Sequence, residues 1–283
     1  MSTLKAGVIG DPIAQSLSPV IHGHWISLHG LDADYKAIHV RPEELPDRLK
    51  ALADQGYSGV NVTVPHKESV FALCDELTPT AKAIGAVNVL TFSNGRLIGD
   101  NSDAYGFWTH LESSVLAADR SMPDLDQPVL LLGAGGASRA VMYAFKTAGY
   151  RNVLVTNRSE NKAEALTEAF GLGQVVPWHE RLERCASAGV IVNSTSLGMI
   201  GQPPLFENDA RPTLNASQIV YDLVYKPLTT TLLAAAADNQ DPALAIDGLG
   251  MLLHQAVPSF DAFFGQRPNI DERLKQLVLD RIQ

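Results

Sequence analysis

The chain has 283 residues, 46% of them hydrophobic and 19% charged, with a formal net charge of −9. Its length predicts about two domains, and its 22 glycines and 16 prolines exclude a collagen or a disordered tract. The acidic balance, with no Lys/Arg run, argues against a nucleic-acid or anionic-membrane surface.

Short apolar, β-branched runs alternate with longer amphipathic stretches, the pattern of βα units around parallel sheets. Gly7–Ile9, Tyr35–Val40 and Val60–Val64 read as strands, and Pro19–Leu28 and Pro42–Ala53 as helices. Ser18 is the expected N-cap of the first helix, with Pro19 in its first position and Gly30 just past its end. Val87–Phe92 and Arg96–Ile98 flank Ser93-Asn94-Gly95, a strong hairpin signal. Asp103 is then placed to cap a helix reaching about Leu116. After a polar loop, Ala118–Gln127, a second set of strands follows: Val129–Leu132, Val153–Thr156, Val190–Asn193 and Val220–Val224. Ser138–Ala148 and Asn161–Phe170 read as helices between them. Gly250–Phe264 and Asp271–Ile282 read as two closing helices that return to the first domain.

Two cysteines, Cys74 and Cys185, lie far apart without metal-ligand spacing, which predicts neither a disulfide scaffold nor a structural zinc site. The first apolar run stops at Gly10-Asp11-Pro12, and no apolar stretch reaches the ~18 residues of a membrane span. A cytoplasmic location is expected. His22, His24, His66 and His254 lack mutual ligand spacing, so no metal is expected and they read as packing or supporting residues.

The clearest local signal is the strand Val129–Leu132 running into Gly133-Ala134-Gly135-Gly136-Ala137-Ser138 and a helix. Glycines there permit a tight bend and let backbone N–H groups approach a pyrophosphate at the positive helix end. Ser138 stands where the third glycine or alanine of a dinucleotide turn would be. The next strand ends in Asn157-Arg158-Ser159, with Lys162 beyond, rather than in the carboxylate that holds a ribose 2′-hydroxyl. A guanidinium and an ammonium attract a 2′-phosphate, so the cofactor read from this tip is NADP.

Four further segments concentrate polar residues in apolar surroundings: Ser16-Leu17-Ser18-Pro19, Asn61-Val62-Thr63-Val64-Pro65-His66-Lys67, Ile84-Gly85-Ala86-Val87-Asn88 and Gly99-Asp100-Asn101-Ser102-Asp103. With the glycine turn, Asn157-Arg158-Ser159, Asn193-Ser194-Thr195 and Asp247-Gly248-Leu249-Gly250-Met251, they make the chain resemble the shikimate dehydrogenase family from Gly7 to about Gln255. By itself Lys67 reads as a surface lysine, although a cation is disfavoured in a helix's first turn. Asp103 alone reads as a cap, Ser18 likewise, and Asn88 and Thr63 as turn or strand-end residues.

The resemblance implies more. Lys67 and Asp103 become the catalytic pair, with Lys67 either donating the proton or positioning and polarising the reacting oxygen. Ser16 and Ser18 would receive the carboxylate of a small hydroxylated ring. Thr63, Lys67, Asn88, Asp103 and Gln255 would hold ring oxygens, and Tyr225 would line the pocket. Leu223 and Gly248 align with positions at the nicotinamide end, beside the cofactor residues Gly133, Ala134, Gly135, Gly136, Ala137, Asn157, Arg158, Ser159 and Lys162. Ser102, Ala104, Pro79 and Thr231 depart from the usual Thr, Gly, polar residue and Pro.

The implied fold is α/β with two domains: residues 1–104 plus 249–283 for substrate and catalysis, and a Rossmann-type NADP-binding domain over 105–248, with the active-site cleft between them. The implied activity is reversible NADPH-dependent reduction of 3-dehydroshikimate to shikimate, in a monomer or homodimer. Alternatives are a quinate/shikimate dehydrogenase using NAD and a non-catalytic relative that senses the small acid.

Overall fold

A computed structural model describes residues 3–207, 210–238 and 241–282. They divide into two compact units, residues up to Gly106 with Leu253–Arg281, and Phe107–Leu252.

In the first unit the chain runs through β1 (Leu4–Gly10), α1 (Ser18–Leu28), β2 (Ala33–His39), α2 (Leu45–Asp54), β3 (Tyr57–Val62), α3 (Lys67–Leu73), β4 (Glu76–Leu77), α4 (Pro79–Ile84), β5 (Val89–Ser93) and β6 (Arg96–Asp100). The sheet order is β2-β1-β3-β5-β6-β4. β1 pairs in parallel with β2 and β3, whereas β5 is antiparallel to both β3 and β6. The sheet is therefore mixed: β1, β2 and β3 follow the parallel βα pattern, and the hairpin expected at Ser93-Asn94-Gly95 supplies the antiparallel β5–β6 pair. The cause is local: Asn94 and Gly95 both adopt positive φ, 51° and 74°, and fold β5 back on β6 in a two-residue hairpin.

Two local expectations are corrected here. α1 starts at Ser18 itself; its N-cap is Leu17 and no side chain caps it. The strand expected to reach Val64 ends at Val62, because Pro65 has no N–H to continue a ladder.

The core of this unit explains α2. Leu45, Leu49 and Leu52, three or four positions apart, bury one stripe of the helix in the cluster containing Ile9, Val60 and Leu90.

α5 (Asp103–Ala117) follows, with the unit boundary after Gly106. The second unit then builds β7 (Val129–Leu132), α6 (Gly136–Ala148), β8 (Val153–Thr156), α7 (Glu160–Phe170), β9 (Gln174–Val175), α8 (Arg181–Cys185), β10 (Val190–Asn193), β11 (Ile219–Asp222), α9 (Thr231–Ala237) and β12 (Leu244–Ile246). The order is β12-β11-β10-β7-β8-β9, every pair parallel. That is the doubly wound dinucleotide-binding order, whose switch point lies between β7 and β10. All four residues of β7 are fully buried, as a central parallel strand covered on both faces requires. The strand expected to reach Val224 stops at Asp222, whose Oδ1 accepts the Val224 N–H at 3.0 Å instead.

α10 (Leu249–Phe264) and α11 (Glu272–Ile282) close the chain. From Leu253 to Arg281 they belong with the first unit. Trp25 of α1 is fully buried there, 5.4 Å from the Phe260 ring, and its indole N–H donates to the Asn269 carbonyl at 2.9 Å. Asp271 starts α11 by accepting the Leu274 N–H at 2.7 Å.

Candidate active site

Two chain reversals in the first unit bring a lysine and an aspartate together. After β3 and Pro65, the backbone turns into α3, whose first residue is Lys67; the Lys67 carbonyl is anchored by the Val87 N–H at 3.0 Å. After β6, Asn101 Oδ1 accepts the Asp103 N–H at 3.0 Å and its Nδ2 donates to the Ala86 carbonyl at 3.0 Å. Asn101 thus takes the role expected of Asp103, which is the first residue of α5 and not its cap. The Asp103 carboxylate is free for other partners.

Lys67 Nζ lies 2.5 Å from Asp103 Oδ2, with side-chain exposures of 17% and 6%. A pair so withdrawn from water needs further hydrogen bonds to offset desolvation. Asn88 supplies one, its Nδ2 donating to Asp103 Oδ1 at 2.8 Å. Asn88 is held in turn, since its Oδ1 accepts the Ser102 N–H at 2.8 Å. Ser102 Oγ donates to the Gln255 carbonyl at 2.8 Å, and Gln255 Oε1 lies 3.4 Å from Asn88 Nδ2. Lys67, Asn88, Asp103 and Gln255 therefore form one cluster. An ammonium has three donors, so the contact with Asp103 leaves two that a bound oxygen can use.

Asn101 and Ser102 stand in a polar segment singled out from the sequence but carry no site role there, although both are buried and brace the pair. The signal was present as a run of polar residues, Asn101-Ser102-Asp103, that lies inside rather than on the surface. Ser102 keeps the hydroxyl expected of a threonine and uses it. Ala104 is buried at 5% exposure, Pro79 opens α4 behind the Thr78 cap, and Thr231 is the first residue of α9.

Ser16 lies in the loop after β1, Ser18 is the first residue of α1, and Thr63 follows the end of β3. Ser16 Oγ accepts the Ser18 N–H at 3.3 Å, and the Thr63 N–H donates to the Ile9 carbonyl at 3.0 Å. The buried histidines here are structural. His66 Nε2 donates to the Val40 carbonyl at 2.7 Å, and His22 stacks on Tyr35 at 3.9 Å. Among the described residues, no group of three or more His, Cys, Asp or Glu is placed to hold a metal ion.

In the second unit the glycine turn leaves β7 at Gly133, whose φ of +113° suits glycine. A Cβ there would stand 2.7 Å from Ser194 Oγ, so the turn is pressed against the end of β10. A Cβ on Gly135 would meet nothing within 4 Å, so the space beside the turn is open. α6 starts at Gly136, and the N–H groups of its first turn, from Gly136 and Ala137, lack helical acceptors. Ala134 stands between the two turn glycines. An open cradle lined with amides fits a pyrophosphate.

At the tip of β8, Asn157 Nδ2 donates to the Ser159 carbonyl at 2.9 Å and so shapes the turn. Arg158 and Lys162 are exposed, and among the described residues neither cationic head has an ion-pair or hydrogen-bond partner. Both remain available to a phosphate.

Beyond β11, the Leu223 N–H donates to the Asn193 carbonyl at 2.9 Å and the Gly248 N–H to the Val224 carbonyl at 3.2 Å. A Cβ on Gly248 would come within 2.0 Å of the Leu223 carbonyl oxygen, which leaves no room for a larger residue. Tyr225 follows in the same loop, its phenol pushed above the usual range by burial. Asp222 is buried and accepts hydrogen bonds from Asn193, Val224 and Thr230. Desolvation nevertheless raises its carboxyl to about 6.

A doubly wound sheet with an open glycine cradle and cationic strand tip, together with a second α/β unit carrying a buried Lys–Asp pair, defines a two-domain dinucleotide-dependent oxidoreductase. Three family models match the chain: the shikimate dehydrogenase substrate binding domain over residues 8–90, shikimate/quinate 5-dehydrogenase over 116–215, and the shikimate 5′-dehydrogenase C-terminal domain over 248–277. A Methylobacterium radiotolerans protein named shikimate dehydrogenase (NADP(+)) is 48% identical over 282 residues, covering 99% of this chain and 98% of its own.

Among solved structures, shikimate 5-dehydrogenase of Thermus thermophilus in complex with NADP(H) and shikimate is 36% identical. It aligns with a TM-score of 0.80 over 98% of this chain and 99% of its own. Quinate dehydrogenase of Corynebacterium glutamicum in complex with NAD is 30% identical, with a TM-score of 0.85 over 98% and 99% of the two chains. The chain belongs to the shikimate dehydrogenase family. Among its described residues no helix is long and apolar enough to cross a membrane.

Proposed function

We propose that the chain is an NADP-dependent shikimate dehydrogenase, catalysing the reversible reduction of 3-dehydroshikimate to shikimate. The observation that carries this reading is the 2.5 Å contact of Lys67 Nζ with Asp103 Oδ2, braced on its other oxygen by Asn88. In this reading residues 1–104 and 249–283 bind substrate and move its proton, while residues 105–248 hold the cofactor.

The bound nicotinamide supplies the hydride for the ketone carbon, or accepts it from the alcohol in the reverse direction. Lys67 acts at the oxygen of that same carbon. In the reducing direction one ammonium proton passes to the developing alkoxide, and the neutral amine regains a proton from solvent. Asp103 keeps the lysine oriented. Ser16 and Ser18 take the ring carboxylate with hydroxyl and backbone donors. Thr63, Asn88, Asp103 and Gln255 hold the ring hydroxyls, and Tyr225 lines the pocket. A site built from paired neutral donors and acceptors discriminates against analogues lacking a hydroxyl.

On the cofactor side, the turn Gly133, Ala134, Gly135, Gly136 and Ala137 forms the pyrophosphate cradle, with the amides of Gly136 and Ala137 facing the phosphates. Asn157, Arg158, Ser159 and Lys162 take the adenosine 2′-phosphate, and Leu223 and Gly248 border the nicotinamide. Both cysteines are free thiols, which suits the cytoplasm.

The test is a four-way comparison of initial rates with shikimate and quinate, each with NADP and NAD. Shikimate with NADP is expected to be the fastest pair. A preference for quinate with NAD would make the chain a quinate dehydrogenase. Binding of shikimate without turnover under any condition would make it a sensing relative.

A further inference from the structure

Ser138 and Ser194 are 56 positions apart, yet their hydroxyl oxygens lie 2.8 Å from each other beneath the glycine turn. Proton counting gives this contact a direction. Ser194 Oγ is 2.8 Å from the Leu132 carbonyl oxygen, which can only accept, so the single Ser194 proton is committed there. The proton between the two serines must then come from Ser138. The Ser138 oxygen in turn accepts the Gly135 N–H at 2.9 Å. The result is one directed chain: Gly135 N–H to Ser138 O–H to Ser194 O–H to the Leu132 carbonyl. It starts and ends on the two arms of the turn and passes through the end of β10. Ser138 is fully buried, and Gly133 has room for no side chain against Ser194.

We propose that Ser138 and Ser194 form a clasp that fixes the glycine turn in its phosphate-receiving shape, making both of them positioning residues for the cofactor's pyrophosphate. The chain occupies the Gly135 N–H internally, so this amide shapes the cradle while the amides of Gly136 and Ala137 are left to face the phosphates. Ser138 thereby has a reason to stand where the dinucleotide turn usually has glycine or alanine. Neither smaller residue could pass a hydrogen bond from the turn to β10. Because the links are in series, losing either hydroxyl breaks the side-chain connection from the turn to β10 and leaves only the Ser194 N–H on the Leu132 carbonyl, at 2.8 Å. The inference rests on the reading of this turn as the NADP site.

The test uses the full-length protein and measures equilibrium binding of two ligands by calorimetry. One is NADPH, which contains the pyrophosphate. The other is adenosine 2′-monophosphate, which carries the 2′-phosphate but no phosphate at the 5′ position where the pyrophosphate would be. Wild-type affinity for NADPH, measured first, tests the cofactor reading separately. Ser138→Ala and Ser194→Ala are each expected to raise the Kd for NADPH by about 3–10-fold, the worth of a net hydrogen bond. The double variant is expected to be no weaker than the worse single one. The Kd for adenosine 2′-monophosphate should stay within about twofold throughout. Unchanged NADPH binding in either single variant would overturn the proposal. So would a parallel loss of adenosine 2′-monophosphate binding, the result of general damage to the unit, or fully additive single effects.

Discussion

Asp103 holds Lys67 through one carboxylate oxygen, at 2.5 Å, and is itself held through the other by Asn88 at 2.8 Å. Each oxygen has its own donor, so the carboxylate cannot rotate without losing one of them. The lysine is thereby presented on a fixed support, although it sits at the start of a helix where a cation is disfavoured. The helix-end penalty is offset by the ion pair, which makes this placement a property of the site rather than of the helix.

Replacing the lysine tests the chemistry directly. Lys67→Ala is expected to lower kcat by about 10²–10⁴-fold, the usual contribution of a positioned acid or base. The Kd for shikimate should change by no more than several-fold. Steady-state rates and a binding titration on the same preparation separate the two quantities, and a wild-type kcat would remove Lys67 from the reaction.

Asn88→Ala leaves Asp103 Oδ1 without its donor and Ser102 N–H without its acceptor. A hydrogen bond to a charged group is worth about 1.5–3 kcal/mol. A fall in kcat/KM of about 10–100-fold is therefore expected, read by initial rates at low shikimate. Retention of more than half the wild-type value would show that Asp103 needs no brace.

Arg158→Ala removes an exposed guanidinium that has no partner of its own among the described residues. The expected loss is about 10–100-fold in kcat/KM with NADP, from one charge-assisted phosphate contact. With NAD, which lacks the 2′-phosphate, the change should stay within about threefold. Equal losses with both cofactors would mean that Arg158 supports the fold and does not read the phosphate.

His22 controls acid stability in the first unit. Its ring is buried and stacked on Tyr35 at 3.9 Å, and neither ring nitrogen has a partner among the described residues. Burial lowers its pKa from 6.5 to about 3. Between those values the unfolded chain binds a proton that the folded chain refuses, so stability rises with pH through the window and is lost as pH falls. His22→Phe retains an aromatic ring for the stack but cannot titrate. Its melting temperature, followed by scanning calorimetry, should drop less than that of wild type between pH 7 and pH 4.5. Parallel drops would refute this account.

Asp222 acts with the opposite sign in the second unit. Burial raises its carboxyl from 3.8 to about 6. The folded state therefore holds a proton that the unfolded chain has released, and this contribution to stability fades as pH rises from about 4 to 6. Asp222→Asn should gain on wild type over that interval, seen as a melting-temperature difference that shifts in favour of the variant. A constant difference across the interval would show that the carboxyl does not titrate there.

Much of the architecture is legible without coordinates because its causes are local. The apolar run Val129–Leu132, the Asn94-Gly95 reversal and the glycine turn each follow from propensities within a few neighbouring residues. The cationic tip at Arg158 is legible for the same reason, since it needs only the end of one strand. Elements below the length that periodicity resolves escape the sequence reading: β4, β9 and β12, of two or three residues each, the five-residue α8, the six-residue α4 and the seven-residue α9. Their pairing partners, not their own composition, make them strands or helix.

Sequence by itself determined where polar residues interrupt the apolar runs and where the chain must turn. Only the tertiary structure decided how those residues are used. Asp103 reads as a helix cap until Asn101 is seen to cap in its place, leaving the carboxylate to Lys67, 36 positions away. Ser138 reads as a substituted glycine until β10 brings Ser194 beneath it. The physical reason is common to both: a hydroxyl or carboxylate has several partners of similar strength within reach of its own segment. Which one it takes is set by distant backbone that the sheet order carries to within 3 Å.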